Sequence, residues 1–213
     1  MPAAIGILGG TFDPVHKAHV ALAHAAMAGL GLAGVRWIPS GRPGHREQPA
    51  TPVEHRLAML RLALAAEPRF TLDEADARSA GPTYTVNTLA RLRLELGQQV
   101  PLVFIIGADQ LVALDSWRDW RRLFDATHFA VAERPGYPIA RARLSDALAA
   151  ELAARSAGSI GPGPAGGIVR FAMPPSDISA TAIRAAFARR QEPGDCLPGA
   201  VLAYIQTHHL YSD

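Results

Sequence analysis

Residues 102–106 are five consecutive apolar residues, Leu-Val-Phe-Ile-Ile, with no polar side chain on either alternating face. Such a run is typical of a strand buried on both sides, as in the centre of a parallel sheet covered by helices. Shorter apolar segments predict further strands at residues 5–8, 35–39, 70–73, 128–132 and 168–171. Helical patterns between them predict connections at residues 19–30, 54–65, 85–96, 109–124 and 144–155. This alternation indicates an α/β protein with a doubly wound, mainly parallel sheet.

The size and composition fit one compact unit. The chain has 213 residues, of which 49% are hydrophobic and 19% charged, so it can form a closed core and general disorder is excluded. Two more helices are predicted at residues 181–190 and 200–208. We therefore expect an α/β core over residues 1–178 and a small helical part, residues 179–213, packed on that core.

The charge balance limits the binding partners of the protein, and the cysteine count indicates its cellular compartment. The formal net charge is +2, and no basic stripe is interleaved with aromatic residues, so nucleic-acid binding is disfavoured. Cys196 is the only cysteine, which is typical of a reducing compartment. The longest apolar helix contains Arg61 and is too short to cross a bilayer, and the N-terminus has no signal-peptide pattern. We expect a cytoplasmic protein without membrane contact, and the sequence indicates no oligomeric state.

Residues 161–166 match the dinucleotide-binding pattern G-x-G-x-x-G, but their context is wrong. That pattern requires a strand before it and a helix after it, whereas a predicted helix precedes this match. Two prolines within the match also remove backbone N–H groups that phosphate would use. Lys17 lacks the glycine-rich run of a P-loop. We therefore interpret residues 156–167 as a flexible surface connector.

The loop that leaves the first strand carries a stronger chemical signal. Gly9 and Gly10 end that strand, and the missing Cβ atoms let the backbone approach an anion at the edge where such sheets bind ligands. His16 and His19 lie three residues apart at the start of the next helix, so both imidazoles share a face beside free N–H groups. These features predict a phosphate site. A tight turn is the alternative, and zinc is disfavoured because no third ligand accompanies the pair.

A second element lies far downstream, where residues 178–184 read Ile-Ser-Ala-Thr-Ala-Ile-Arg. Ser179 or Thr181 can cap the helix that follows. Arg184 lies one turn into that helix and off its apolar face, near the positive end of the helix dipole. Taken alone, this segment is a capped helix with a solvated arginine.

Together the two elements resemble the nucleotidyltransferases of the nicotinic acid mononucleotide adenylyltransferase type. The resemblance continues through Pro-Thr-Tyr-Thr-Val-Asn-Thr-Leu at 82–89, Ile-Ile-Gly-Ala-Asp at 105–109, Trp117, and Arg-Pro-Gly-Tyr-Pro at 134–138. These blocks stand in the expected order over nearly the whole chain. The resemblance implies a Rossmann-like nucleotidyltransferase fold and transfer of the adenylyl group of ATP to nicotinic acid mononucleotide. The products would be deamido-NAD and pyrophosphate, in NAD biosynthesis.

The resemblance also implies roles for individual residues. The catalytic side chains would be those of His16, His19 and Arg184. The ATP-binding residues would be Gly9, Gly10, Thr11, Arg46, Gly107, Asp109, Arg134, Ser179 and Thr181. The nicotinate ring would meet Thr85, Trp117 and Arg118. The protein would hold no metal of its own, and Mg²⁺ would arrive with ATP.

Three positions depart from the usual pattern of this family. Ala18 stands where a glycine is usual, which narrows the approach of the backbone to ATP. Gly44 stands where a proline is usual, on the loop that carries Arg46. Arg118 stands where a tyrosine is common, and it adds a cation near the proposed carboxylate site. None of these changes removes a group that the chemistry needs.

Other functions remain open at this point. An adenylyltransferase acting on a different small acceptor, such as phosphopantetheine, is the nearest alternative, although the block at 82–89 and Trp117 favour an aromatic ring pocket. A nucleotide-binding regulator without turnover is a second alternative, but binding alone does not require so many phosphate-directed side chains. A scaffold protein is the least favoured.

Overall fold

The computed structural model describes residues 3–43, 51–133 and 143–212. The strands of the main sheet are β1 (Ile5–Gly10), β2 (Gly34–Pro39), β4 (Phe70–Leu72), β6 (Leu102–Gly107), β7 (His128–Glu133), β8 (Ser156–Ala157) and β9 (Ile168–Ala172). A separate small sheet consists of β3 (Arg42–Pro43) and β5 (Pro82–Thr83). The helices are α1 (Lys17–Leu30), α2 (Val53–Leu64), α3 (Thr85–Leu96), α4 (Ala108–Val112), α5 (Trp120–Ala126), α6 (Asp146–Arg155), α7 (Ala180–Ala188) and α8 (Gly199–Thr207).

The main sheet is parallel, with strand order β4-β2-β1-β6-β7-β9-β8. From β1 the chain builds one half of the sheet outward through β2 and β4, and it then returns to β6 on the other side of β1. The strand order therefore reverses between β1 and β6. In sheets of this kind, a ligand-binding crevice opens at the carboxyl ends of the strands beside that reversal. The predicted doubly wound, mainly parallel α/β fold is confirmed.

The two faces of the sheet support two apolar clusters. Successive residues of β6 alternate between them: Val103 and Ile105 join one cluster, and Leu102, Phe104 and Ile106 join the other. All five side chains are at most 4% exposed, as the uninterrupted apolar run predicts. Burying side chains of this size contributes about 1.5–3 kcal/mol each, so β6 anchors both layers of helices.

The two last helices bury apolar residues in the same cluster as β1 and α1. Ile183 of α7 and Val201 and Ile205 of α8 are each at most 2% exposed. The division into a core of residues 1–178 and a helical part of residues 179–213 stays a prediction. In the described part of the chain, every helix is too short or too polar to span a bilayer.

One predicted helix is wrong in form. Residues 109–124 do not form a single helix: α4 ends at Val112, a 3-10 helix follows at Leu114–Ser116, and α5 begins only at Trp120. Five buried side chains here recur at every third position, Leu111, Leu114, Trp117, Trp120 and Leu123, and Phe124 is buried as well. A continuous α-helix turns about 100° per residue, so a strict spacing of three would rotate these side chains away from the core. The breaks keep them all on the inner side.

The prediction of a flexible surface connector at residues 156–167 is only half right: the segment lies at the surface, but hydrogen bonds tie it to the sheet. The carbonyl oxygen of Pro164 accepts the N–H of Leu102 at 3.2 Å, and that of Gly167 accepts the N–H of Phe129 at 2.9 Å. Buried Arg93 adds a bond from Nη2 to the oxygen of Pro164 at 2.8 Å. Polar backbone groups at the start of β6 and β7 need partners, and this segment supplies them. The G-x-G-x-x-G match therefore lies at the amino ends of the strands, opposite the ligand-binding edge.

Candidate active site

A pocket opens at the carboxyl ends of β1, β2 and β6, where the strand order reverses. Its walls come from the end of β1, from the segments after β2 and β6, and from the start of α3. The lining residues are Gly9, Gly10, Thr11, Ile38, Ser40, Asp76, Thr83, Tyr84, Thr85, Thr88, Phe104, Gln110 and Trp117. Five of the predicted site residues thus line one cavity: Gly9, Gly10, Thr11, Thr85 and Trp117. Gly107 ends β6 and is not among the lining residues.

The two glycines expose bare backbone because aromatic rings occupy the space that side chains would need. A Cβ on Gly9 would lie 3.1 Å from the ring of Phe104, and a Cβ on Gly10 would lie 3.0 Å from the ring of Phe12. Both distances are shorter than ordinary contacts, so a larger residue would displace a buried ring. The backbone of both glycines therefore reaches the pocket surface with an aromatic ring packed where a side chain would stand, and one of these rings, Phe104, lines the pocket itself.

The two histidines form a stacked pair at the start of α1. His16 precedes the helix, and its backbone N–H donates to Nδ1 of His19 at 3.3 Å. The ring centroids are 3.7 Å apart with an interplanar angle of 26°, and His19 also meets the edge of Phe12 at 5.0 Å. Because Nδ1 of His19 accepts a hydrogen bond, the neutral ring carries its proton on Nε2.

Both imidazoles are neutral at physiological pH. Burial lowers the pKa of His16 from 6.5 to about 4. Burial also lowers the pKa of His19 well below 6.5, and the neighbouring charge of protonated His16 lowers it further. Each ring can thus donate one N–H without carrying a charge. Nδ1 of His16 and the hydroxyl of Ser40 are buried and lack a partner among the described residues, so this corner of the site has unused polar groups.

The distant element at residues 178–184 reaches the same place. The side chain of Ser179 caps α7 by accepting the N–H of Ala182 at 3.2 Å, while Thr181 is exposed in the first turn. The partly buried Arg184 donates from Nη1 to the backbone oxygen of Asp13 at 2.6 Å, inside the loop between β1 and α1. Arg184 is therefore bonded to this loop and is not simply a solvated arginine on a capped helix. The bond brings the two sequence elements together.

The pocket wall on the other side is aromatic. Trp117 is 8% exposed and packs edge-on against Phe104, with centroids 6.0 Å apart. Helix α3 begins at Thr85 beside it, and its first turn has no acidic residue. The first N–H groups of a helix have no partner within the helix, so this end attracts an anion. Arg118 is exposed and lies over the ring of Tyr84 at 4.7 Å, outside the pocket lining.

The predicted adenosine side lies after β6. The N–H of Gly107 donates to Oε1 of Gln110 at 3.2 Å, which fixes the start of α4. Asp109 points to solvent near Arg143, at 3.4 Å, and does not line the pocket. Arg46 and Arg134 lie outside the described residues, so their predicted contacts with phosphate stay predictions. The roles of the other site residues also stay predictions.

Several lining residues have no sequence signal that points to a site. Phe104 is one residue of an apolar strand, and nothing in its own neighbours distinguishes it from Ile106. The carboxylate of Asp76 accepts the hydroxyl of Thr88 and lies 3.4 Å from Nη2 of Arg91. Those contacts join the segment after β4 to α3, and only tertiary structure creates them. Ser40 and Gln110 were likewise not predicted.

Comparison with known proteins agrees with this geometry. The chain matches the cytidylyltransferase-like family over residues 7–186. A parallel sheet with a glycine-rich, imidazole-bearing site at its carboxyl edge, together with this match, defines the chain as a nucleotidyltransferase. Among solved structures, Plasmodium falciparum nicotinic acid mononucleotide adenylyltransferase complexed with NaAD has a TM-score of 0.73 at 18% identity, covering 98% of this chain and 97% of that one. At that identity the likeness concerns the fold.

Curated relatives narrow the family. The probable nicotinate-nucleotide adenylyltransferase of Dechloromonas aromatica is 47% identical over 214 residues, covering 99% of both chains. The protein of the same description from Chromobacterium violaceum is 46% identical over 213 residues, covering 99% of this chain and 100% of the relative. The chain belongs to the nicotinate-nucleotide adenylyltransferase family.

Proposed function

We propose that this chain transfers the adenylyl group of ATP to nicotinic acid mononucleotide and releases deamido-NAD and pyrophosphate, a step of NAD biosynthesis. The observation that carries the proposal is the bond between Arg184 and the backbone of Asp13, which brings α7 to the loop beside the imidazole pair. A polyphosphate at the end of β1 would then meet backbone, imidazole and guanidinium donors together. The aromatic pocket lies next to it, where an acceptor nucleotide would fit.

The reaction needs no general base from the protein. The phosphate of the acceptor has a second pKa of about 6, so it is mostly a dianion at neutral pH and can attack the α-phosphorus of ATP directly. The barrier comes from repulsion between anions and from charge that develops on the departing pyrophosphate. Positioned donors lower that barrier, as in other phosphoryl transfers. Neutral imidazoles with low pKa values fit this role because they donate hydrogen bonds and are poor proton acceptors.

We assign His16 and His19 to phosphate oxygens of ATP, and Arg184 to the departing pyrophosphate. Gly10 and Thr11 would supply backbone contacts to the triphosphate. Ser179, the cap of α7, adds the N-terminus of a helix that favours anions. Gly107 and Asp109 would face the adenosine.

We propose that Mg²⁺ enters as part of the ATP substrate. The described residues contain no group of three or more His, Cys, Asp or Glu side chains that could hold a metal ion. The carboxylate of the loop between β1 and α1, Asp13, is already engaged by the hydroxyl of Tyr211. Mg²⁺ prefers to keep water and substrate phosphates as ligands, so a protein with this donor set can use it without a cage.

Selection of the acid over the amide would depend on the start of α3. A carboxylate on the ring stacked against Trp117 would meet the N–H groups at Thr85, and an anion gains more than a neutral amide from that helix end. Arg118, held over Tyr84 at the mouth of the pocket, adds positive potential. We therefore expect strong preference for nicotinic acid mononucleotide over its amide. A cytoplasmic location, where both substrates would be available, completes the proposal.

The test is pyrophosphate release from ATP with each of three acceptors: nicotinic acid mononucleotide, nicotinamide mononucleotide and phosphopantetheine. The proposal predicts release with the first, much slower release with the second and none with the third. Fastest release with phosphopantetheine would favour the other adenylyltransferase activity. ATP binding without release for any acceptor would favour a regulator.

A further inference from the structure

Two buried polar side chains and one partly buried phenol join the loop between β1 and α1 to the rest of the fold, and the proposed chemistry does not use them. We name the cluster of Asp13, Arg56 and Tyr211 the loop brace. Its members come from three places in the chain: the loop itself, helix α2 and the turn after α8. Burying an ionised group costs free energy unless the group is paired or hydrogen-bonded, so the contacts of these side chains must offset that cost.

Arg56 fixes the first part of the loop. Its side chain is 1% exposed, and Nη1 donates to the backbone oxygen of Thr11 at 2.7 Å. Burial lowers the pKa of Arg56, whereas the negative charge of Asp13 raises it. The carboxylate of Asp13 therefore offsets part of the cost of burying the charged guanidinium that holds Thr11.

Tyr211 fixes that carboxylate. Its hydroxyl donates to Oδ1 of Asp13 at 2.6 Å, across 198 residues of sequence. The N–H of Thr51 approaches Oδ2 at 3.4 Å, and Asp13 itself is 4% exposed. Burial and the bond to Asp13 both raise the pKa of Tyr211 above its ordinary value, so the phenol stays protonated and remains a donor.

The backbone between these anchors is held in an unfavourable conformation. Phe12 has φ of 51° and is 2% exposed, although it is not a glycine. A left-handed conformation at a large residue persists only where its surroundings determine it. The ring of Phe12 packs under Gly10 and against His19, so this conformation sets both the glycine backbone and the imidazole pair.

The same loop anchors Arg184, whose Nη1 donates to the backbone oxygen of Asp13. The Thr11–Phe12 and Asp13–Pro14 peptide units thus each receive a guanidinium, from Arg56 and from Arg184 respectively. A shift of Asp13 would move Arg184 together with the loop. The loop brace is therefore connected to the predicted triphosphate contacts through covalent backbone and single hydrogen bonds.

We propose that Tyr211 is a positioning residue for ATP: through the carboxylate of Asp13 it fixes the phosphate-facing backbone and the guanidinium of Arg184. This proposal rests on the proposed binding of ATP at the end of β1. Tyr211 itself touches neither substrate. The last turn of the chain would thereby complete a site that begins at residue 9.

The experiment compares Tyr211→Phe with a matched control, Tyr204→Phe. Both changes remove one hydroxyl from the C-terminal region and keep the ring. The hydroxyl of Tyr204 bonds to Nδ1 of His55 at 2.9 Å, away from the loop. Each variant is measured for binding of a non-hydrolysable ATP analogue by calorimetry, for kcat and KM of both substrates, and for Tm.

Loss of a hydrogen bond to a charged group should weaken analogue binding and kcat/KM for ATP by about tenfold in Tyr211→Phe. The KM for the acceptor should change by less than about threefold, because the proposed acceptor pocket at Trp117 and the start of α3 is built from other elements than the loop brace. Tyr204→Phe should match wild type. Analogue binding within twofold of the control would overturn the proposal. If wild type binds the analogue but transfers nothing to the acceptor, the proposed function fails while the binding comparison still tests Tyr211.

A second variant guards against a purely structural effect. In an Asp13→Asn background the hydroxyl has lost its charged partner, so adding Tyr211→Phe should cost less than about twofold in analogue binding. Independent, multiplicative losses in the two variants would show that Tyr211 does not act through Asp13. If Tyr211→Phe binds the analogue as tightly as wild type at a lower temperature, where the variant is fully folded, the weaker binding reflects unfolding. That result would also reject the proposal.

Discussion

The substitution His19→Ala tests the chemistry of the imidazole pair. The backbone N–H of His16 donates to Nδ1 of His19, which leaves the Nε2–H of His19 for phosphate. Removing one positioned donor of this kind costs about 100- to 1,000-fold in kcat, or about 3 to 4 kcal/mol of barrier. We expect that loss in steady-state pyrophosphate release at saturating ATP. The chain should still fold, because the ring of His19 contributes a single hydrogen bond to the start of α1, from the N–H of His16.

The substitution His19→Gln is the matched control, since its amide can place an N–H near the position of Nε2. It should recover part of the activity that alanine loses. The pH profile separates a donor from a proton acceptor: the pKa of His19 lies well below 6.5, so the ring is already neutral and kcat should not depend on its titration at neutral pH. An inflection near the pKa of the acceptor phosphate, about 6, should persist in His19→Ala. A kcat within threefold of wild type in His19→Ala would remove this residue from the mechanism.

Three further outcomes follow from the structure. Trp117→Ala should raise the KM for the acceptor by about 10- to 100-fold, since base–aromatic stacking contributes about 1–3 kcal/mol, and should leave the KM for ATP within threefold; equal effects on both substrates would contradict the assigned pocket. Because the folded-state pKa of His16 is lowered to about 4, its protonation favours the unfolded chain. Stability present at neutral pH should therefore fall by about 3 kcal/mol as the pH drops from about 6.5 to about 4, and urea unfolding should show a smaller fall in His16→Asn. Arg93→Ala should destabilise the fold by about 3 kcal/mol or more, since it leaves the carbonyl oxygens of Val100 and Ala126 without the guanidinium that donates to them, yet kcat measured well below Tm should stay within twofold.

Much of the fold could be predicted from the sequence because the patterns that indicate its strands and helices are local. The apolar run in β6 indicates burial on both faces, and helix α3 is found at the residues where its pattern predicts it. The small sheet of β3 and β5 was not predicted, since strands of two residues have no measurable periodicity. The breaks at residues 113–119 contradict the single helix predicted for residues 109–124, because neither proline nor glycine marks them in the sequence.

In the candidate site, too, residues that are close in sequence could be predicted, and contacts between distant residues could not. Gly9, Gly10 and the histidine pair stand in one short segment, so their neighbours alone indicate a phosphate loop. The bond between Tyr211 and Asp13 spans 198 residues, and no pattern in the chain relates the two. Interactions of this kind depend on how α2, α7 and α8 pack on the sheet, which the sequence determines only through the complete fold.

A structure of the protein with a non-hydrolysable ATP analogue tests the central claim most directly. We expect His19 and Arg184 both to lie about 3 Å from phosphate oxygens of one nucleotide, at the carboxyl end of β1. A triphosphate bound at the opposite edge of the sheet, beside Gly161 and Gly166, or an Arg184 that stays remote from the phosphates, would contradict it.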